Sequence, residues 1–122
     1  MKGEIDMRKQ TITIEDVHAI LQQWIGKQIT IQKKELQDDD QTTMYLESVT
    51  YEINKERLDD YTSTYHLHLN GNGIIETVHN NAEPLPLPTY EIPLEDQSVY
   101  QYSENILHII NDRGQYTIRV DV

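Results

Sequence analysis

YTSTYHLHLNGNGIIETVHN, residues 61–80, is the stretch on which the predicted fold depends. Two runs that alternate between apolar and polar side chains flank two Asn-Gly dipeptides at residues 70–73. Asn-Gly is favoured in hairpin turns because glycine has no Cβ and asparagine tolerates the positive φ that such turns require. The stretch therefore predicts a β-hairpin, whose turn lies at 70–71, at 72–73 or across all four residues.

The loop length is even in all three registers, so each register places the same residues on one face of the hairpin. The first face is predicted to carry Tyr65, Leu67, Leu69, Ile74, Glu76 and Val78. The opposite face is predicted to carry His66, His68, Ile75, Thr77 and His79. Three of the five histidines of the chain therefore share a face in this prediction.

The length and composition predict a single domain, residues 1–122, in which the polar residues 1–11 form a flexible tail. The chain has no cysteine, which excludes disulfides, Cys-ligated zinc and Cys nucleophiles, and which favours a reducing compartment. The first ten residues contain no apolar signal segment, and no run reaches membrane-spanning length. We therefore expect a cytoplasmic protein.

The charge of the chain narrows the classes of partner. Twenty-one acidic and ten basic residues give a formal net charge of −11. Nucleic-acid binding requires clustered Lys and Arg, and an anionic membrane surface would repel an acidic protein. We therefore expect no nucleic acid and no membrane among its partners. A basic protein is the partner that the charge favours.

Residues 13–26 carry the pattern of an amphipathic helix. Thr13 is suited to the N-cap, and Asp16 stands three residues later, where a capping box returns the bond. Gly26 stands where a helix commonly ends in a left-handed residue. The apolar stripe consists of Ile14, Val17, Ile20, Leu21, Trp24 and Ile25. This stripe predicts a helix that lies on a sheet.

After the helix the apolar period changes to two, which predicts antiparallel strands. The longest candidate, residues 42–54, switches the parity of its apolar positions, and a bulge near residues 47–48 would return both sets to one face. The other strand candidates outside the central stretch are residues 28–36, 99–102, 106–110 and 115–122. The last two are predicted to form a second hairpin.

Residues 80–93 contain four prolines, which exclude a central strand and favour an extended, polyproline-like backbone. The segment is either a loop that crosses a sheet edge or a docking peptide for a proline-reading groove. A compact domain of this size favours the crossing loop.

These patterns together predict an α+β fold. One N-terminal helix packs on a curled antiparallel sheet, or on a small open β-barrel, of six to eight strands. The oligomeric state is left open by the sequence. If the apolar run 106–110 is an edge strand, it would allow a dimer through strand pairing.

His66 and His68 are the sharpest candidates for chemistry. Residues i and i+2 of a strand point the same way, about 6.6–6.8 Å apart, so both imidazoles can reach one metal ion. His79 from the neighbouring strand is a possible third ligand. The alternative is that all three are solvent-face residues, and it is favoured because metal sites usually add carboxylates or cysteines at recognisable spacing.

Asp38, Asp39 and Asp40 fall in a predicted loop, residues 37–41. A calcium-binding EF-hand loop needs glycine at its sixth position and glutamate at its twelfth, where this sequence has threonine and valine. The three aspartates therefore indicate a solvated loop tip that presents negative charge to a cationic partner.

Trp24, Tyr100 and Tyr102 are candidates for the lining of a ligand-binding mouth, because aromatic rings stack on sugars and bases. The alternative is half-buried packing, which tyrosine favours because its ring is buried while its hydroxyl stays in water.

Catalytic signatures are missing from the sequence. It has no Gly-x-Ser-x-Gly, no phosphate-binding Gly-Lys-Ser/Thr loop, no His-Glu-x-x-His and no dinucleotide fingerprint. We therefore expect no cofactor and no enzyme activity. The first functional hypothesis is a protein-binding module, as in an inhibitor, an immunity-like protein or an adaptor. A small-ligand-binding β-barrel is the second, and a metal-dependent enzyme using His66 and His68 is the third.

Overall fold

A computed structural model describes residues 10–35, 38–54, 64–77, 82–84, 88–95, 97–112 and 114–121. Within these ranges the chain forms one α-helix, α1 (Ile14–Gln23), and eleven β-strands. The strands are β1 (Gln10–Ile12), β2 (Gln28–Glu35), β3 (Asp38–Tyr45), β4 (Ser48–Asn54), β5 (Thr64–Asn70), β6 (Gly73–Thr77), β7 (Ala82–Pro84), β8 (Thr89–Leu94), β9 (Val99–Ser103), β10 (Ile106–Ile110) and β11 (Gly114–Val120). The predicted α+β class is confirmed.

The strands form two antiparallel sheets. One has the order β1-β9-β10-β11-β2-β3-β6-β7, and the other has the order β4-β5-β8. Each sheet has two end strands, so neither closes into a barrel. The chain passes from one sheet to the other four times, between β3 and β4, between β5 and β6, between β7 and β8, and between β8 and β9. At the first two passages, residues 45–48 and 70–73 lie side by side where the chain bends. The curled antiparallel sheet of the prediction is therefore confirmed.

Backbone hydrogen bonds continue across this bend, which we name the corner (residues 45–48, 70–73 and 88). The N–H of Tyr45 donates to the carbonyl of Asn72 at 3.2 Å, and the N–H of Glu47 donates to that of Asn70 at 2.8 Å. The N–H of Gly71 donates to the carbonyl of Pro88 at 2.9 Å. The two sheets are therefore joined as one hydrogen-bonded surface.

Residues 70–73 do not form the predicted hairpin turn. Strand β5 pairs with β4 and β8, whereas β6 pairs with β3 and β7. The hairpin that contains β5 is formed with β4, and its connection lies outside the described residues. The prediction was wrong because a bend between sheets needs the same backbone freedom as a turn. Gly71 has a φ of +154°, and a Cβ at this position would overlap the carbonyl oxygen of Tyr45.

The alternation is preserved in β5 despite this error, whereas in β6 Ile74, predicted to share the face of Leu67 and Leu69, is 52% exposed. Leu67 and Leu69 are fully buried, while His66 and His68 are on the opposite face of β5.

The predicted single strand 42–54, in contrast, is divided between β3 and β4, which lie in different sheets, so the prediction of one bulged strand was wrong. An extra residue does lie where the bulge was expected. Met44 pairs with Gly73, and Ser48 pairs with Asn70. Four residue steps on the first segment (44 to 48) therefore face three steps on the second (70 to 73), so the first segment contains one extra residue.

Helix α1 begins as predicted. The N–H of Thr13 donates to the Asp16 carboxylate at 3.1 Å, and the N–H of Asp16 donates to the Thr13 hydroxyl at 3.2 Å, which completes the capping box. Gly26 follows with a φ of +89°. The buried stripe of the helix packs on the sheets and joins one core. That core consists of Val17, Leu21, Trp24, Ile29, Ile31, Met44, Leu46, Val49, Leu67, Leu69, Tyr90, Ile92, Leu94, Leu107, Ile109, Tyr116, Ile118 and Val120.

The described ranges contain eleven strands, more than the predicted six to eight, and three of them (β1, β7 and β8) were not predicted. Gln10 and Thr11, predicted to belong to the tail, pair with β9, and residues 1–9 lie outside the described part. Strands β7 and β8 occupy the proline-rich segment that was predicted to be a loop. Each is an end strand, where proline's missing N–H is tolerated. These strands are short or proline-containing, so they lack a clear period in the sequence.

Asp38, Asp39 and Asp40 begin strand β3 instead of forming a loop tip. Asp39 is paired with Lys34 and Asp40 with Lys33 across β2. Aspartate is depleted in strands, so its run predicts a loop, but opposite charges on the neighbouring strand make the strand position favourable.

The C-terminal hairpin is confirmed, with β10 and β11 paired in antiparallel register. Strand β10, however, lies between β9 and β11 and is not the edge strand that the dimer hypothesis requires. Both of its backbone edges are already paired within the chain. In the described ranges, no helix has the length and apolar character needed to cross a membrane.

Candidate functional site

The polar face of the three-stranded sheet holds the two histidines. Because Leu67 and Leu69 point into the core, strand alternation turns His66 and His68 away from it. The strand register places Glu52 of β4 opposite His66 and Glu91 of β8 opposite His68. We name these four residues the histidine face.

The carboxylates of this face lie around the imidazoles. Oε2 of Glu91 contacts Nδ1 of His66 and lies 3.8 Å from Nε2 of His68. Oε1 of Glu52 lies 3.7 Å from the same Nε2. The glutamate side chains are 68% (Glu52) and 51% (Glu91) exposed, whereas both histidine side chains are 23% exposed. With neutral imidazoles the outermost charges of this face are therefore negative.

A row of hydrogen bonds fixes the three strands beside the histidines. The side-chain amide of Asn70 donates to the hydroxyls of Ser48 at 3.1 Å and Thr50 at 3.2 Å. The hydroxyl of Thr89 donates to the amide oxygen of Asn70 at 2.9 Å. Connected polar side chains of this kind hold a surface in one arrangement. The histidine face is therefore presented on an ordered platform.

The structure describes two of the three predicted metal ligands, His66 and His68. The structure brings His66 and His68 onto one face as expected, while His79 lies outside the described residues. Among the side chains that the structure describes, no three of the His, Asp or Glu type are arranged to share one ion. The Glu91 carboxylate stands between the two imidazoles, so their observed partner is an acid.

An open cleft with a volume of about 320 Å³ adjoins the histidine face. Its lining residues come from four strands, namely Lys33 and Glu35 of β2, His66 of β5, Glu91 and Pro93 of β8, and Tyr116 of β11. The side-chain amide of Asn111 donates to the carbonyl of Pro93 at 3.0 Å, which joins the β10–β11 turn to β8. The cleft therefore lies between the two sheets and is held at one end by this bond.

Acidic groups outnumber basic groups among the described residues that line the cleft. Nζ of Lys33 lies 3.5 Å from Oδ2 of Asp40, so a carboxylate already stands beside the single ammonium of the lining. The hydroxyl of Tyr116 donates to Oε2 of Glu35 at 3.4 Å. Glu91 supplies a further carboxylate from the opposite wall. The sequence does not identify Lys33, Glu35, Glu91 and Tyr116 as members of one site, because each is an ordinary strand residue. They come together only because the curling of the sheet brings β2 and β11 close to β8.

Trp24 and Tyr102 are brought together in the core. Their ring centroids are 6.5 Å apart, and Trp24 is only 4% exposed. Tyr100 is partly buried against the same core. These contacts correspond to the packing alternative, and ligand binding by the three residues stays a prediction.

The aspartates predicted to contact a partner point in different directions. The side chain of Asp39 is exposed, whereas that of Asp40 faces Lys33. The side chain of Asp38 lies outside the described part. Partner binding through this run also stays a prediction.

Tyr51 links the helix to the three-stranded sheet. Its hydroxyl is 3.2 Å from Nδ1 of His18, and the two rings are tilted by 49° with centroids 5.2 Å apart. Burial raises the pKa of Tyr51 to about 12, and the neighbouring Tyr100 adds to this rise. A hydroxyl in this environment resists ionisation.

We expect Tyr51 to stay protonated at pH values where ordinary tyrosines, with a pKa of about 10, ionise. An ultraviolet titration of the wild type minus that of Tyr51→Phe should isolate this hydroxyl and show its step near pH 12. In the unfolded chain the proton leaves at about pH 10. The contribution of Tyr51 to stability is therefore complete below that pH and is lost as the pH rises towards 12. A difference step near pH 10 in the folded protein would contradict the buried position.

Comparison with known proteins places the chain among relatives. It is 34% identical over 111 residues to the "Uncharacterized protein YmzB" of Bacillus subtilis (strain 168), which covers 82% of this chain and 92% of that protein. No solved structure shows a significant match. The family pattern described as "YmzB-like protein" matches residues 10–122, which include every strand and the helix described above. On this match the chain belongs to the YmzB-like protein family.

Proposed function

We propose that this protein is an acidic, cytoplasmic, non-enzymatic module that binds a basic protein partner, as an inhibitor, an immunity-like protein or an adaptor does. The observation that carries the proposal is the histidine face. Glu52 and Glu91 present exposed carboxylates there, on a chain whose net charge is −11. The cysteine-free composition supports a reducing compartment.

Electrostatics supports a basic partner in two ways. The net charge of the whole chain attracts a basic protein over a distance and speeds encounter. The carboxylates of the histidine face then supply local complementarity, because exposed acids pair with lysine or arginine at the rim of an interface. The same charges disfavour acidic proteins, so they also contribute specificity.

The arrangement of the histidine face supports binding in preference to catalysis. The hydrogen bonds of Asn70 order the platform before any partner arrives, which lowers the entropic cost of association. The carboxylates, in contrast, are half exposed or more. Electrostatic stabilisation of a transition state is strongest in water-excluded sites, so an open face of this kind is better suited to contact with a protein surface.

The proposal is tested by affinity capture with matched variants. Wild-type protein, Glu52→Gln/Glu91→Gln and Glu15→Gln/Glu104→Gln are immobilised and exposed to a cytoplasmic extract of the source organism. Each double variant removes two exposed acids, but only the first changes the histidine face. Bound proteins are identified by mass spectrometry and eluted with increasing salt.

We expect the wild type and the control variant to retain the same basic protein. Retention by Glu52→Gln/Glu91→Gln should fall about tenfold, and elution should occur as the Debye length drops from about 10 Å at 0.1 M salt towards about 3 Å at 1 M. Retention that is insensitive to salt, or that falls equally in both double variants, would contradict the proposal.

A further inference from the structure

We infer that the cleft between the two sheets receives an arginine side chain. This inference rests on the proposed function, because the arginine is assigned to the basic partner. His66 and Glu91 belong both to the histidine face and to the lining of the cleft. A partner that lies on the face therefore has its own side chains next to the opening.

The charges of the cleft select a cation. Among the residues that the structure describes, the lining contains one ammonium, on Lys33, and two carboxylates, on Glu35 and Glu91. Asp40 adds a third carboxylate beside Lys33. Among the described residues, one positive and three negative groups leave a formal charge of −2 around the cleft when His66 is counted as neutral. An anionic ligand would face this excess, whereas a cation would reduce it.

The placement of the carboxylates suits a planar guanidinium. Glu35 lies on β2 of the large sheet, and Glu91 lies on β8 of the small one, so the two acids approach the cleft from different walls. A guanidinium has five N–H donors directed outwards in one plane and can donate to acceptors on two sides at once. An ammonium is a compact, strongly hydrated point charge and loses more on entering a partly enclosed site.

Two features of the lining favour arginine further. Tyr116 is 3% exposed, and its hydroxyl donates to Glu35, which orients that carboxylate before a ligand binds. Pro93 also provides an apolar ring surface, and a weakly hydrated guanidinium packs on such a surface more readily than an ammonium does. The volume of about 320 Å³ corresponds to about ten waters at about 30 Å³ each, enough for one long side chain.

The test uses small probes that carry the arginine side chain alone. Nα-acetyl-arginine-methylamide is titrated into ¹⁵N-labelled full-length protein, and amide and tyrosine ring signals are followed by NMR. The citrulline counterpart has nearly the same shape without charge, and the lysine counterpart has the charge without the planar fork. Glu35→Gln removes one carboxylate and retains an oxygen that can accept the Tyr116 bond. Glu104→Gln, exposed in the turn between β9 and β10, is the matched control.

We expect saturable shifts at the cleft with the arginine probe, at millimolar concentration, and none with the citrulline probe. The lysine probe should bind at least threefold more weakly. Glu35→Gln should raise the Kd of the arginine probe at least fivefold, and Glu104→Gln should change it less than twofold. Shifts located elsewhere, equal responses to citrulline, or equal effects of the two substitutions would overturn the assignment of the cleft.

Capture of the partner by Glu35→Gln separates this inference from the proposed function, because Glu35 is not part of the histidine face. If wild type retains a basic protein in a salt-sensitive manner and Glu35→Gln retains it equally well, the arginine assignment fails while the binding function stands. If the arginine probe occupies the cleft but no basic protein is retained by the wild type, the proposed function fails while the site stands. Loss of retention in Glu35→Gln supports both.

Discussion

Replacement of Leu21 by alanine is expected to lower the free energy of unfolding by about 2–5 kcal/mol. Leu21 is fully buried where helix α1 meets the sheets, so truncation removes apolar contacts and leaves a cavity that the surrounding strands fill only in part. Urea denaturation measures this loss. The single tryptophan, Trp24, is buried three residues further along the chain and provides the fluorescence signal.

Gln22→Ala is the matched control for this prediction. Gln22 is the next residue of the same helix and is exposed, so its truncation creates no cavity. We expect its effect to stay within about 0.5 kcal/mol, as for most surface substitutions. Equal stabilities of Leu21→Ala and Gln22→Ala would mean that α1 does not pack on the sheets through this stripe.

Replacement of Gly71 by alanine is expected to cost about 3 kcal/mol, at the upper end of the range for overpacking substitutions. Its Cβ would overlap the carbonyl oxygen of Tyr45 and lie 3.1 Å from the carbonyl carbon. Both atoms are backbone, so a side-chain rotation cannot relieve the overlap and the corner itself must shift. The same urea experiment measures this change.

Gly26→Ala separates the destabilisation caused by atomic overlap from the destabilisation caused by a positive φ. Gly26 also has a positive φ, but the nearest atom to its added Cβ is the Tyr45 hydroxyl at 4.0 Å. It should therefore show only the conformational cost of a left-handed residue, about 1 kcal/mol. A Gly71→Ala variant no less stable than Gly26→Ala would contradict the close approach of the chains at the corner.

The corner also connects stability to the proposed binding surface. Asn70, which precedes Gly71, holds the hydrogen-bonded row beside the histidines. A displacement of Gly71 would therefore move Asn70 and loosen the platform on which the histidine face is built. The residue that allows the chain to change sheets thus also positions the residues proposed to meet the partner.

Features with a strong local cause were predictable from the sequence. The capping pair Thr13 and Asp16, followed by an apolar stripe of period 3.6, is sufficient to define a helix. Alternation placed Leu67 and Leu69 in the core and the histidines outside it, because side chains of a strand point alternately to its two faces whatever its partners are. The parity switch near residues 47–48 indicated an extra residue there, although not that the chain changes sheet at this point.

The tertiary structure decided whether the Asn-Gly pairs form a hairpin turn or a bend between two sheets. Asn-Gly reports only that the backbone requires unusual freedom, and a hairpin turn and a bend between sheets both require it. Which of the two forms depends on whether β6 finds a better partner in β5 or in β3, and that choice involves residues about thirty positions away. Local sequence contains no signal for it.

The sequence by itself determined the helix, the inward and outward sides of β5 and the negative charge of the chain. The tertiary structure alone decided the strand order and the cleft, in which Lys33 and Glu35 meet Glu91 and Tyr116 across two sheets. The physical reason is that periodicity and capping act between residues a few positions apart. Strand pairing and a cleft between sheets arise from contacts between distant residues, whose energies become defined only when the chain has folded.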